Sequence, residues 1–177
     1  MLFTDARDDF LNWLEVIKNK SPKTVEQYAR HLTKFGEYLE EKNIDSFAFK
    51  VEEITLKLAE GFRSYLYKQN KNISVKTANA YMITLRSFLK YLEKTGQTSL
   101  SATAIDLIKA EPRMVEFLTE EELERLFRVP NTATLIGKRD LAIMECIYST
   151  GLRISELTGL NRNDINLDLR EFAVRGK

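Results

Sequence analysis

The sequence is poor in the residues that most site chemistries use. Of its 177 residues one is cysteine, Cys146, and one is histidine, His31. A disulfide framework is excluded, and so is a Cys/His zinc site within the chain. Any Ser-His-Asp or Cys-His device would have to use His31. Glycine (7) and proline (3) are scarce. All-β proteins need many turn residues, so a largely helical chain is expected. Long apolar runs are missing as well. The most apolar run, Leu141 to Tyr148, is short and holds Glu145, so no membrane span is expected. Asp5, Arg7, Asp8 and Asp9 exclude a signal-peptide core at the N-terminus. The expected compartment is the reducing cytoplasm.

What is present suits an ordinary folded chain. Hydrophobic residues make up 44% and charged residues 30%. The length fits one domain or two small ones. The net charge of +1 says little by itself, but its distribution is uneven. Residues 1–110 hold 17 Lys/Arg and 14 Asp/Glu, against 10 and 12 in residues 111–177. Between Gly61 and Leu92 stand six basic residues (Arg63, Lys68, Lys71, Lys76, Arg86, Lys90) and no acid. A neutral chain with a locally one-signed stretch points to a polyanion-binding face.

Periodicity places the helices. Thr4 reads as an N-cap for a helix to about Lys18, with Phe10, Leu11, Leu14 and Ile17 on one face. Ser21-Pro22 starts a second, whose apolar stripe is Val25, Tyr28, Leu32, Phe35 and Leu39. Its opposite face carries Lys23, Gln27, Arg30 and Lys34. Thr55 caps a third helix through about Lys68, with Leu58, Ala59, Phe62 and Leu66 inward. Ser74 caps a fourth, with a stripe from Ala78 to Leu92, and Gly96 lies just past its end. Its polar side carries Lys76, Asn79, Ser87 and Lys90, with Arg86 at the edge and Lys71 in the turn before it. Ile83 on that side reads as exposed. A weaker segment, Ala102 to Ala110, reads as a fifth helix. Trp13 reads as packing.

Residues 109–115, around Glu111-Pro112-Arg113, form the expected linker between a domain at 1–108 and another at 116–177. Thr119 to Glu122 is a capping box for a short helix. Gly137 to Thr150 is apolar nearly all round, the pattern of a buried central helix, with Cys146 as a small core residue. Gly151 ends it, and a short helix Ile154 to Thr158 follows. Asn161 to Asn166 reads as turns. Glu171 to Arg175 alternates as a strand with no second strand beside it, so this domain is expected to be cut within its sheet.

The corner at Gly151 fixes Arg153 on a rigid scaffold. There its planar fork can meet a phosphate. It can equally be a structural arginine pairing Glu156 or Asp164, and the chemistry alone leaves both readings open.

Thr150-Gly-Leu-Arg-Ile-Ser-Glu-Leu-Thr-Gly-Leu160 resembles the first catalytic-arginine motif of the tyrosine recombinases (the phage-integrase and Xer family), roughly T-G-L-R-[IV]-S-E-L-x-x-L. Phe172-Ala-Val-Arg-Gly-Lys177 resembles that family's strand into a G-K turn, with Lys177 falling 24 residues after Arg153. Lys20 to Phe35 and Ile73 to Leu92 resemble its S-x-x-T-x-x-x-Y-x-x-x-L-x-x-F and L-S-x-x-T…L-R-x-F-x-x-Y-L helices.

The resemblance implies a mainly α chain. It would be an N-terminal four- to five-helix core-binding (SAM-like) bundle plus the N-terminal part of an α+β catalytic domain. In that family a tyrosine attacks the scissile phosphate and forms a 3′-phosphotyrosyl link. Arg153 would then stabilise the phosphorane, and Lys177 would protonate the departing 5′ oxygen. No metal or other cofactor is implied. The implied partners are duplex DNA and other recombinase protomers. The second and fourth helices would meet the DNA through Lys23, Gln27, Arg30, Lys34, Lys71, Lys76, Asn79, Arg86 and Lys90, mostly at phosphates. Taken singly, each could as well be a solvated surface residue.

The family's H-x-x-R motif and its tyrosine follow the lysine, and the seven tyrosines here all precede Arg153. The expectation is therefore a fragment or truncated gene product that binds DNA without cleaving it. The alternatives are a non-catalytic DNA-binding or regulatory protein that keeps only the first half of the clamp, and a helical interaction module that does not touch DNA.

Overall fold

The computed structural model describes residues 1–111, 114–166, 168–169 and 171–174. The chain divides into two compact units, Met1–Pro112 and Arg113–Lys177.

The first unit is helical. Its elements are α1 (Phe3–Asn12), α2 (Pro22–Glu41), α3 (Leu56–Gln69) and α4 (Val75–Lys94). Thr55 and Ser74 accept from the N–H of Leu58 and Thr77, as their positions before apolar stripes require. Ser21 also occupies a cap position, but its hydroxyl meets the Thr24 hydroxyl at 2.9 Å instead of a backbone N–H.

Three expectations for this unit change. Thr4 lies inside α1; Leu2 is the cap residue, because Phe3 N–H is taken by Phe49 O and Leu2 bridges to Lys50. The first helix also does not run straight to Lys18. It widens into a π-type turn at Trp13–Ile17, closed by Lys18 N–H to Trp13 O. The fifth helix predicted at 102–110 is only a 3₁₀ turn, Ala102–Ala104. Beyond it the backbone is held by side chains from α3 and α4 rather than by its own ladder.

The core is aromatic. Phe3, Phe10, Phe35, Phe62 and Phe88 are fully buried with Leu32, Leu39, Met82, Leu85, Leu89 and Leu92. Phe10 alone contacts the rings of Trp13, Tyr28, Phe88 and Tyr91 at 5.4 to 6.2 Å. These pairs join α1, α2 and α4 into one packed body. Gly61 on α3 lets that helix close on Tyr38, since a Cβ there would overlap the Tyr38 hydroxyl.

The second unit contains α5 (Glu120–Phe127), α6 (Leu135–Thr150), α7 (Ile154–Leu157) and an antiparallel pair, β1 (Ile165–Asn166) and β2 (Glu171–Phe172). The Thr119–Glu122 capping box forms as its sequence requires. Gly151 ends α6 at φ +67°, the left-handed conformation that favours glycine.

Two further expectations are corrected here. The strand at 171 does have a partner, because Ile165–Asn166 pairs with it; the upstream segment read as turns supplies the ladder. And within these residues α6 is largely exposed, where the sequence pattern predicts burial. Of its residues only Gly137 is buried; Ile143 and Tyr148 are exposed and Cys146 is half-buried. A helix apolar all round needs neighbours all round. Among the described residues the main packing partners of α6 are α5 and α7.

Candidate DNA interface and phosphate site

The first site is the polar face shared by α2 and α4. These helices pack directly on each other. A buried polar contact fixes their register: His31 of α2 meets Thr84 of α4, Nδ1 to Oγ1, at 2.7 Å. Thr84 donates onward to Ala80 O at 3.1 Å, so the imidazole Nδ1–H is the donor to Thr84. The Tyr81 ring lies 4.1 Å from the imidazole. Burial, then the neighbouring Arg30 charge, push the His31 pKa down to about 4. The imidazole is therefore neutral at pH 7 and acts as a pin between the helices.

Of the sequence candidates, Lys23, Gln27 and Arg30 of α2 and Lys76 and Lys90 of α4 are exposed, and Lys71 is exposed in the turn before α4. Arg86 is half-buried. It forms, with Lys90, Ser87, Ile83 and Tyr28, the wall of a cleft of about 230 Å³ between the two helices. Ile83 is exposed, as its register indicates. Among the described residues none of Lys23, Arg30, Lys71, Lys76, Arg86 and Lys90 makes an ion pair, so their charge is not neutralised locally.

Two of the sequence candidates have other engagements. Lys34 is 2.6 Å from Glu37, and its ammonium lies 5.4 Å from the Tyr65 ring. The Glu37 hydrogen bond raises its pKa above the ordinary lysine value. Asn79 turns its carboxamide to the backbone of Ile108, donating to its O at 2.7 Å and accepting from its N–H at 3.1 Å.

Sequence reasoning did not single out Tyr28 or Thr84 for this face. Tyr28 sits on the apolar stripe yet also lines the cleft. Thr84 interrupts the α4 stripe beside Leu85, and a hydroxyl in a buried stripe is the signal that a polar partner such as His31 must lie opposite.

The second site is the corner at Arg153, the residue before α7. Its N–H donates to Glu156 Oε2 at 2.9 Å, and its Nη1 donates to Glu156 Oε1 at 2.8 Å. The Arg153 backbone donor, then its guanidinium, hold the Glu156 carboxyl below the usual range. Asp164, the other candidate partner, instead caps Asn161, accepting from its N–H at 2.8 Å. Glu156 thus engages one end of the guanidinium. The side chain is still 78% exposed, and among the described residues its Nε and Nη2 make no hydrogen bond. The phosphate-facing and the structural readings are compatible on this geometry. Lys177 lies outside the described residues.

Among the described residues no three His, Cys, Asp or Glu side chains converge as a metal site would need. No helix among them is long and apolar enough to cross a membrane.

Two protein-family models match the chain. Residues 2–105 match the phage integrase SAM-like domain, and residues 116–177 match the phage integrase family. The chain is 34% identical over 171 residues to the tyrosine recombinase XerC of Oceanobacillus iheyensis, covering 96% of this chain and 54% of the relative. It is 34% identical over 170 residues to the XerC of Staphylococcus haemolyticus, at 95% and 54% coverage. It is 31% identical over 169 residues to that of Bacillus pumilus, at 95% and 53%. The chain spans about half the length of the curated relatives it matches.

Proposed function

Because the chain belongs to the phage integrase family of tyrosine recombinases, we propose that it is the DNA-gripping part of a site-specific recombinase. The core-binding unit, 1–108, lays the α2/α4 face on duplex DNA. The linker, 109–115, carries the chain to the first part of the catalytic domain, 116–177. One observation supports this reading: Arg86 and Lys90 of α4, neither in an ion pair among the described residues, wall a cleft that α4 forms with Tyr28 of α2. Lys23, Arg30, Lys71, Lys76 and Lys90 suit phosphates, and Gln27 suits a base edge or phosphate. Lys34 joins the face less directly, since Glu37 already holds it, and Asn79 turns to the Ile108 backbone instead of joining the face.

In the whole recombinase the reaction is phosphoryl transfer to a tyrosine. The nucleophile bonds to phosphorus, and the 5′ oxygen leaves with a proton. Arg153 is suited to a non-bridging oxygen, because Glu156 fixes Nη1 and the remaining donors face solvent. Fixed donors aimed where charge develops are the main source of such stabilisation. Lys177 supplies the proton to the leaving oxygen. No cofactor is required, since the phosphotyrosyl bond conserves the bond energy. Protomers assemble as a tetramer on two DNA sites in the cytoplasm.

These 177 residues alone bind without cleaving, because all seven tyrosines precede Arg153 and Tyr38 and Tyr91 are buried in the helical unit. The test is fluorescence anisotropy of a labelled duplex titrated with the chain at several salt concentrations. Affinity that falls steeply with salt supports the reading, and binding that is absent or indifferent to salt rejects it.

A further inference from the structure

The last stretch of the helical unit has no regular structure, yet it is held in place. Ile105 is buried in the core. Arg63 of α3 donates Nη2 to Asp106 O. Asn79 of α4 pairs its carboxamide with both backbone groups of Ile108. A carboxamide carries the same donor and acceptor as a peptide, so Asn79 serves as a one-residue strand partner. The Arg63 Nε is buried and, among the described residues, has no partner. The side chain as a whole is half-buried, with its Nη2 end on the strap. Three successive grips within four residues fix the path of the chain just before the division between the two units.

We propose that Arg63 and Asn79 are positioning residues. They clamp the 105–108 strap to α3 and α4 and so fix the point from which the chain leaves the DNA-gripping unit. The DNA part of this inference rests on the binding role proposed above. Asn79 lies on α4 between Lys76 and Arg86, so the exit point is referenced to the same helix that would meet the duplex. A fixed exit shortens the free tether of the second unit and raises its effective concentration at the DNA. Releasing the strap lengthens that tether and removes no phosphate contact.

The experiment uses the full chain, with Asn79→Ala and Arg63→Met; the methionine keeps the apolar stem and removes the donors. Trypsin cleavage after the exposed Lys109 reads the clamp directly, because the protease must draw the strap into an extended conformation. Arg63→Met should speed this cut about fivefold and Asn79→Ala, which removes two hydrogen bonds instead of one, about thirtyfold, at about 1 kcal/mol for each lost bond. Duplex affinity should fall about two- to fivefold, with the slope of log K against log salt unchanged. An unchanged cut at Lys109 overturns the clamp. A faster cut with unaltered DNA affinity overturns the positioning role. A salt slope reduced by about one in Arg63→Met makes Arg63 a phosphate contact and overturns it as well. If the wild-type chain binds no duplex, the proposed function fails, and the Lys109 cut still decides the clamp separately.

Discussion

Lowering the pH from 7 to 5 should destabilise the helical unit through one residue. His31 is 6% exposed, donates to Thr84 and lies against the Tyr81 ring. Its pKa is pushed from 6.5 down to about 4. Between those values the unfolded chain takes up a proton that the folded chain refuses. The His31 contribution is therefore complete above pH 6.5 and is lost as pH falls from there toward 4. The full difference corresponds to about 3 kcal/mol, of which about 2 kcal/mol is lost between pH 7 and pH 5.

The groups packed around the ring do not reverse this sign. Arg30 disfavours the imidazolium, and the Ala80 carbonyl offsets the shift only in part. His31 is the only histidine, so its ring proton gives a single NMR titration to follow. Trp13, the only tryptophan, reports urea unfolding of the same unit. His31→Asn keeps a donor toward Thr84 without the titration, and its stability should fall less between pH 7 and 5 by about 2 kcal/mol. A ring-proton midpoint at or above pH 6, or equal acid sensitivity in the two proteins, would refute the reasoning.

Three other outcomes are expected. Phe10→Ala should cost about 3–5 kcal/mol in urea unfolding, because the side chain is fully buried among four rings. Gly61→Ala should cost about 1–3 kcal/mol by overlap with the Tyr38 hydroxyl, and adding Tyr38→Phe should recover most of it. A nicked suicide duplex incubated with this chain should yield no phosphotyrosyl adduct on a denaturing gel; a covalent band would contradict the binding-only reading.

The legible parts of the fold were those with strong local signals. The stripes of α2 and α4 and the caps at Thr55, Ser74 and Thr119 depend on residues within a few positions of each other, and they form where expected. The acid-free run from 61 to 92 is local in the same way, and its lysines on α4, Lys76 and Lys90, are exposed. What the sequence concealed depends on distant partners. Leu2 caps α1 because residues 49–51 pair back to the N-terminus. The 102–110 segment avoids a helix because Arg63 and Asn79 satisfy its backbone. An apolar pattern all round α6 gives its capacity for burial, not the presence of neighbours. At Arg153, pattern identified the residue but could not choose between Glu156 and Asp164, which needed three-dimensional reach.

The central claim is that the α2/α4 face grips duplex DNA by its phosphates. The most direct measurement is the salt dependence of duplex binding for the chain and for a variant carrying Lys76→Glu, Arg86→Glu and Lys90→Glu. The wild-type slope of log K against log salt should be steep. In the variant it should lose up to about 3, near 0.9 for each lost phosphate contact, with a large fall in affinity. Equal slopes and affinities for the two proteins would contradict it.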